Sequence, residues 1–106
     1  MEEQAKFAHA VAWLINTAFA MGYQVTLGDC FRDPRVFGGM GERKGYGTPN
    51  SKHKRRLAID LNLFKDGLFL KGTDDHRALG DAWERQYPDA VWGGRFNDGN
   101  HYQWGE

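Results

Sequence analysis

Cysteine is the scarcest chemistry-bearing residue of this 106-residue chain: there is one, Cys30. That excludes an intrachain disulfide and leaves no thiolate cluster for a structural metal, so any metal must be held by His and carboxylate. Charge is missing over one long stretch, since no Lys, Arg, Asp or Glu occurs between Phe7 and Gly28. A membrane span is nevertheless disfavoured, because His9, Asn16, Thr17 and Gln24 interrupt the apolar run and Gly22 breaks it. The leader Met1-Glu2-Glu3-Gln4-Ala5-Lys6 is acidic where a signal peptide needs a basic segment. The expectation is a protein made in the cytoplasm without a signal peptide, which acts beyond it only by another route of release. Internal repeats and low-complexity tracts are also lacking.

What is present fits one compact domain over residues 1–106. A mass of 12.1 kDa leaves too little chain for two self-sufficient cores. Hydrophobic residues at 41% against 26% charged give the balance of an ordered globular protein rather than a disordered one. The net charge of zero conceals an asymmetry. Arg43, Lys44, Lys52, Lys54, Arg55 and Arg56 against the single acid Glu42 leave +5 between positions 42 and 56, and the remainder sums to −5. Such a stretch either steers an anionic partner or is simply a solvated loop. Nucleic-acid binding ranks low, because the total charge is zero and no recognisable reading helix carries these residues.

Apolar side chains at Phe7, Val11, Leu14, Ile15, Ala18 and Phe19 have helical spacing, which predicts a long helix from about Glu3 to Met21 with Gly22 as its stop. Tyr23 to Leu27 alternates as a strand. Between Pro34 and Asn50 five glycines and two prolines make a long connection with few apolar anchors, the kind that is functional or mobile. From Leu57, strand alternation places Leu57, Ile59, Leu61 and Leu63 on one face and Ala58, Asp60 and Asn62 on the other. Lys65-Asp66-Gly67 is a hairpin turn, returning through Leu68-Phe69-Leu70. Thr73-Asp74-Asp75 is a helix start, with the Thr73 hydroxyl as cap and a second helix from Asp74 to Gln86 that buries Leu79, Ala82, Trp83 and Tyr87. Ala90-Val91-Trp92 is a short strand, residues 93–100 a turn-rich loop, and His101 to Trp104 the last strand. The fold class is therefore α+β, a small antiparallel sheet with two helices.

Two segments stand out chemically: Ser51 to Asp60, and Asp98-Gly99-Asn100-His101. Taking His53, Asp60 and His101 as ligands of one zinc ion leaves a fourth position for water, the catalytic arrangement. His53 and Asp60 are seven residues apart, about 23 Å if extended. Donors on one tetrahedral zinc lie only about 3 to 3.5 Å apart, so the chain from Lys54 to Leu57 must turn back. Asp98, three residues before His101, then serves as the base, taking a proton from water and returning it to the leaving amine. Arg32 is the candidate for stabilising the developing oxyanion. Each element has an ordinary alternative: Asp98-Gly99-Asn100 is also a common turn, and Asp60 also suits an ion pair with an arginine. His9 and His76 carry no expected role, since a lone histidine is more often a surface or satisfied core residue.

The set Ser51-x-His53, Ala58-x-Asp60, Trp92-Gly93-Gly94 and Asp98-x-x-His101-x-x-Trp104 resembles the zinc peptidases that cut peptidoglycan stem peptides. These are the D-alanyl-D-alanine carboxypeptidases and dipeptidases and the L-alanyl-D-glutamate endopeptidases common among phage endolysins. The resemblance is ordered and runs from Arg32 to Trp104. It implies one zinc on His53, Asp60 and His101, Asp98 as general base, Arg32 on the polarised carbonyl, and Ser51 near the substrate. It also implies the small α+β fold shared with the hedgehog signalling domain. Two positions depart from the pattern: Arg56 replaces a glycine, and Asn100 replaces a common proline. An arginine at position 56 must avoid a positive φ or bear its strain.

The activity expected from this resemblance is hydrolysis of the L-Ala to D-Glu amide by a monomer of the endolysin type, acting on the cell wall after release in phage or prophage lysis. The small chain, the expected lack of a signal peptide and the short single-domain form of phage enzymes favour that bond. The alternatives are carboxypeptidase action on a D-Ala-D-Ala terminus and, in another class, a zinc-containing binding domain without catalysis.

Overall fold

A computed structural model of the chain describes residues 2–30, 52 and 56–105. Helix α1 (Glu2–Ala20) is followed by strands β1 (Gln24–Leu27), β2 (Ala58–Lys65) and β3 (Leu68–Leu70). A 3₁₀ turn (Thr73–His76) leads into helix α2 (Arg77–Gln86), then β4 (Ala90–Trp92), a second 3₁₀ turn (Gly93–Phe96) and β5 (His101–Trp104). Among the described residues the architecture is α+β: two helices and a small, wholly antiparallel sheet.

The end of α1 follows from Gly22. At φ 95° it lets the Tyr23 N–H reach the Ala18 carbonyl (3.0 Å) while its own N–H reaches Phe19 (3.0 Å), the paired bonds that satisfy a helix C-terminus. The helix buries Phe7, Ala10, Leu14 and Ala18, with Val11 and Ile15 partly buried against the same core. Phe19 departs from the expected stripe and is exposed. It lies one residue, about 100°, round the helix from Ala18, and the stripe is too narrow to include it.

β2 is the longest strand and the axis of the sheet. β1 pairs along one edge of it (Gln24↔Phe64 through Leu27↔Leu61). The other edge is shared by β3 (Leu63↔Leu70 through Lys65↔Leu68) and β5 (Ala58↔Gln103 through Asp60↔His101). β4 closes the path by pairing with β5. The alternation predicted for β2 holds where it matters, with Ile59, Leu61 and Leu63 buried and Asp60 and Asn62 half-buried on the opposite face; Ala58 is buried as well.

The core lies between that leucine face and the two helices, around Trp83, Tyr102, Leu14, Leu61 and Leu79. Trp83 meets Phe7, Tyr87, Tyr102 and Trp104 at ring-centroid distances of 5.7 to 6.5 Å, mostly edge to face. Each such large apolar side chain, fully buried, contributes about 1.5–3 kcal/mol. The second helix begins differently from expectation. Its first turn is 3₁₀, and no side-chain oxygen of Thr73 caps it; instead the Asp75 carboxylate reaches back to the Gly72 N–H at 3.0 Å. No described helix is long and apolar enough to cross a membrane.

Candidate metal centre

Register brings the two halves of the site together. Asp60 and His101 are direct partners in the β2–β5 ladder, so their side chains rise from the same face of the sheet at neighbouring positions. The backbone around Asp60 is held on both sides: its N–H donates to the Asp29 carbonyl (2.7 Å), its carbonyl accepts from Gly28 (2.8 Å), and the next N–H, of Leu61, donates to Asn100 (2.9 Å). His101 Nδ1 lies 3.3 Å from Asp60 Oδ1 and 3.8 Å from Asp98 Oδ2. Asp60, Asp98 and His101 thus form a three-residue group whose ligand atoms all lie within 4.8 Å of one another.

The turn before β5 sets Asp98. Asp98 N–H donates to the Gly93 carbonyl (2.9 Å) and His101 N–H to the Asp98 carbonyl (3.1 Å). Gly93 is required here, because a Cβ would overlap the Asp98 carbonyl oxygen and come within 2.7 Å of the His101 Cβ. Behind this turn stands Trp92, its indole packed between Gly80 of α2 and Gly94. Its Nε1 donates to the Gly99 carbonyl at 2.7 Å, and its backbone N–H donates to Glu84, which also takes the Arg95 guanidinium. A buried, hydrogen-bonded tryptophan therefore fixes the loop that carries Asp98.

Gln103 sets the state of His101. The Gly105 carbonyl only accepts, so Gln103 turns its amide nitrogen to it (2.6 Å) and its oxygen to His101 Nε2 (2.7 Å). Nε2 must then carry the proton, and in the neutral ring Nδ1 is a lone pair aimed at two carboxylates. A lone pair facing two anions at these distances is relieved by a proton on Nδ1 or by a metal ion between them. With the proton there, burial pushes the His101 pKa down, but hydrogen bonds to Asp60 and Gln103 and the charges of Asp60 and Asp98 outweigh it and raise it above the ordinary value. The donor set suits a metal equally well. The 3.3 Å separation is that of two ligands on a tetrahedral zinc, about 3 to 3.5 Å, and a ligating histidine characteristically donates its other N–H to a fixed acceptor.

The two carboxylates differ in surroundings. The side chain of Asp60 is 17% exposed and that of Asp98 52% exposed, so Asp60 sits in the wall of the site and Asp98 opens to solvent. His53, Arg32 and Ser51 lie outside the described residues. The turn proposed to bring His53 back is bracketed by residues that are described: Leu57 N–H donates to the Lys52 carbonyl (2.9 Å), and Arg56 takes φ 60°. The conformation for which glycine is suited is thus adopted here by an arginine. His76 is a satisfied core histidine, as expected, its Nδ1 2.8 Å from the Tyr102 hydroxyl, and His9 is exposed on α1.

Sequence reasoning did not find Gln103 or the tryptophan cradle. Gln103 was accessible in principle, since it lies two residues from His101 on a strand and so shares its face. The sequence matches no family model and no curated protein. Within the described chain, the fold and site define an α+β domain in which Asp60 of the central strand is grouped with His101 of β5 and Asp98 of the loop before it.

Proposed function

We propose that the chain is a zinc-dependent peptidase that hydrolyses an amide bond in peptidoglycan stem peptides, the L-Ala to D-Glu bond by preference, on a hedgehog/DD-peptidase-like fold. The observation that carries this reading is the Gln103–His101–Asp60 arrangement, in which an amide fixes the histidine with Nδ1 turned to a cross-strand carboxylate. Asp60 and His101 are the ligands in this proposal, with His53 as the third. A zinc ion held there would supply Lewis acidity for the attacking water and the scissile carbonyl.

Asp98 acts as the base rather than as a ligand, because it is the more exposed carboxylate and stands at the open side of the group. It accepts the water's proton and returns it to the leaving amine nitrogen. Arg32 is assigned to the oxyanion and Ser51 to the substrate by their places in the motif. The site works as a monomer in this reading, on wall peptides reached after release.

Digestion of purified peptidoglycan, followed by identification of the new amino termini, tests the bond. New D-Glu amino termini are expected; release of free D-alanine alone would move the assignment to a carboxypeptidase. Metal analysis tests the centre: His53→Ala should lose zinc, and an unchanged content would remove His53 from it. Asp98→Ala should keep the metal and lose turnover, whereas a zinc-loaded wild-type protein with no wall hydrolysis would indicate a binding domain.

A further inference from the structure

Beside the metal group, the edge of β2 is interrupted. β3 pairs with it down to Leu63↔Leu70, and β5 takes over only at Asp60↔His101. The notch between them opens into a cleft of about 340 Å³, lined by Asn62, Phe69, Lys71, Thr73, Asn97 and Asn100 together with Asp98. Asn62 shares the polar face of β2 with Asp60. Asn97 turns the loop at φ 64°, ψ 31°, and the Asn100 carbonyl is tied to Leu61, so the far wall is fixed to the sheet. His76 reaches the lining too, but its Nδ1 is taken by Tyr102. The cleft therefore offers three amides, a hydroxyl and one ammonium, with Asp98 at its mouth.

We propose that this notch binds the leaving-group half of the substrate and that Lys71 recognises a carboxylate on the carbon next to the leaving nitrogen. The inference rests on the peptidase reading and deepens it. Asp98 is the wall common to the cleft and the metal group, and the group that returns a proton to the leaving amine must stand on the amine's side. The half of the peptide carrying that nitrogen is thereby directed into the notch. Its lining carries three amides, a hydroxyl and an ammonium, which suit a polar, anionic arm.

Both amide bonds considered above present the same chemistry there. The amine released from an L-Ala to D-Glu bond and the amine released from a D-Ala-D-Ala terminus each carry an α-carboxylate one carbon away. Lys71 is exposed and lies at the end of β3 rather than in the metal group, so its replacement leaves the metal ligands and the base in place.

The test is equilibrium binding to the zinc-loaded full-length protein of γ-D-glutamyl-L-lysine, which lacks the scissile bond, and of its counterpart with the α-carboxylate converted to a carboxamide. The carboxamide should bind about tenfold more weakly, the difference between a charge-assisted and a neutral contact. Lys71→Met should erase that difference, and amide shifts on titration should cluster at Asn62, Lys71, Thr73 and Asn100. Equal binding of the two peptides by the wild type, absence of binding by either, or a preference that survives Lys71→Met would overturn the proposal. Digestion of peptidoglycan in parallel separates the two readings. A protein that distinguishes the peptides but leaves the wall uncut supports the cleft and counts against the peptidase; a protein that cuts the wall but binds both peptides equally overturns the cleft alone.

Discussion

Arg56 holds φ at 60°, where the Cβ of an L-residue crowds its own backbone. Arg56→Gly is expected to stabilise the protein by about 0.5–1 kcal/mol, the relief of left-handed strain less the added freedom of the unfolded chain; denaturant midpoints measure it. Gln103 works through His101. Gln103→Leu should weaken metal binding about 10–100-fold, as loss of a ligand's outer partner does, while Gln103→Glu, which still offers an oxygen to Nε2–H, should retain most of it; chelator competition reads both. His76 makes one contribution to the pH dependence, opposite in sign to that of His101. Burial dominates over the charges of Asp75 and Asp98 and over its backbone contact at Leu70, and lowers its pKa below the ordinary 6.5. Because the folded value is the depressed one, the stability is present above about pH 6.5 and is lost as pH falls through the folded value. Unfolding of wild type at about pH 7.5 and about pH 5 should show a larger loss than His76→Gln shows over the same interval.

Strands and turns show where the sequence was legible. Alternation alone put Asp60 on the polar face of β2, because leucines every second residue leave only one register that buries them, and the Asp66-Gly67 turn made β3 inevitable. The start of α2 is not legible locally, since Thr73 and Asp75 are both capable caps and it is the Asp75 carboxylate that reaches back to the Gly72 N–H. The cradle of Trp92 was illegible for a related reason: Gly80 and Gly94 lie on opposite sides of that residue in sequence and touch it only after α2 packs on β4. Nothing local marks either glycine as a packing residue. The loop after Gly93 is the element on which the centre depends most. Gly93→Ala should destabilise the fold by about 1–3 kcal/mol through overpacking and displace Asp98, so that wall hydrolysis falls more than metal content does. Thermal unfolding and zinc analysis of the same preparation separate the two effects.

Across the whole molecule, the candidate centre exists only when the fold does. Asp60 comes from the middle of the chain and His101 from its end, and they meet solely through the β2–β5 ladder. Added zinc should accordingly raise the melting temperature, by the equivalent of about 2.7 kcal/mol at a hundredfold excess over its dissociation constant; calorimetry with and without chelator checks this, and an unchanged melting temperature would argue against the centre. The same long-range closure appears at Trp104, whose Nε1 donates to Glu3 at 2.9 Å and joins the last strand to the first turn of α1. The indole of Trp92 has a use beyond support. Its Nε1 is bonded to the loop that holds Asp98, and a guanidinium, Arg77, lies 5.4 Å from its ring. Light emission from that indole is consequently coupled to the position of the loop, so an ion or peptide that shifts the loop should alter the tryptophan emission optically, without any label.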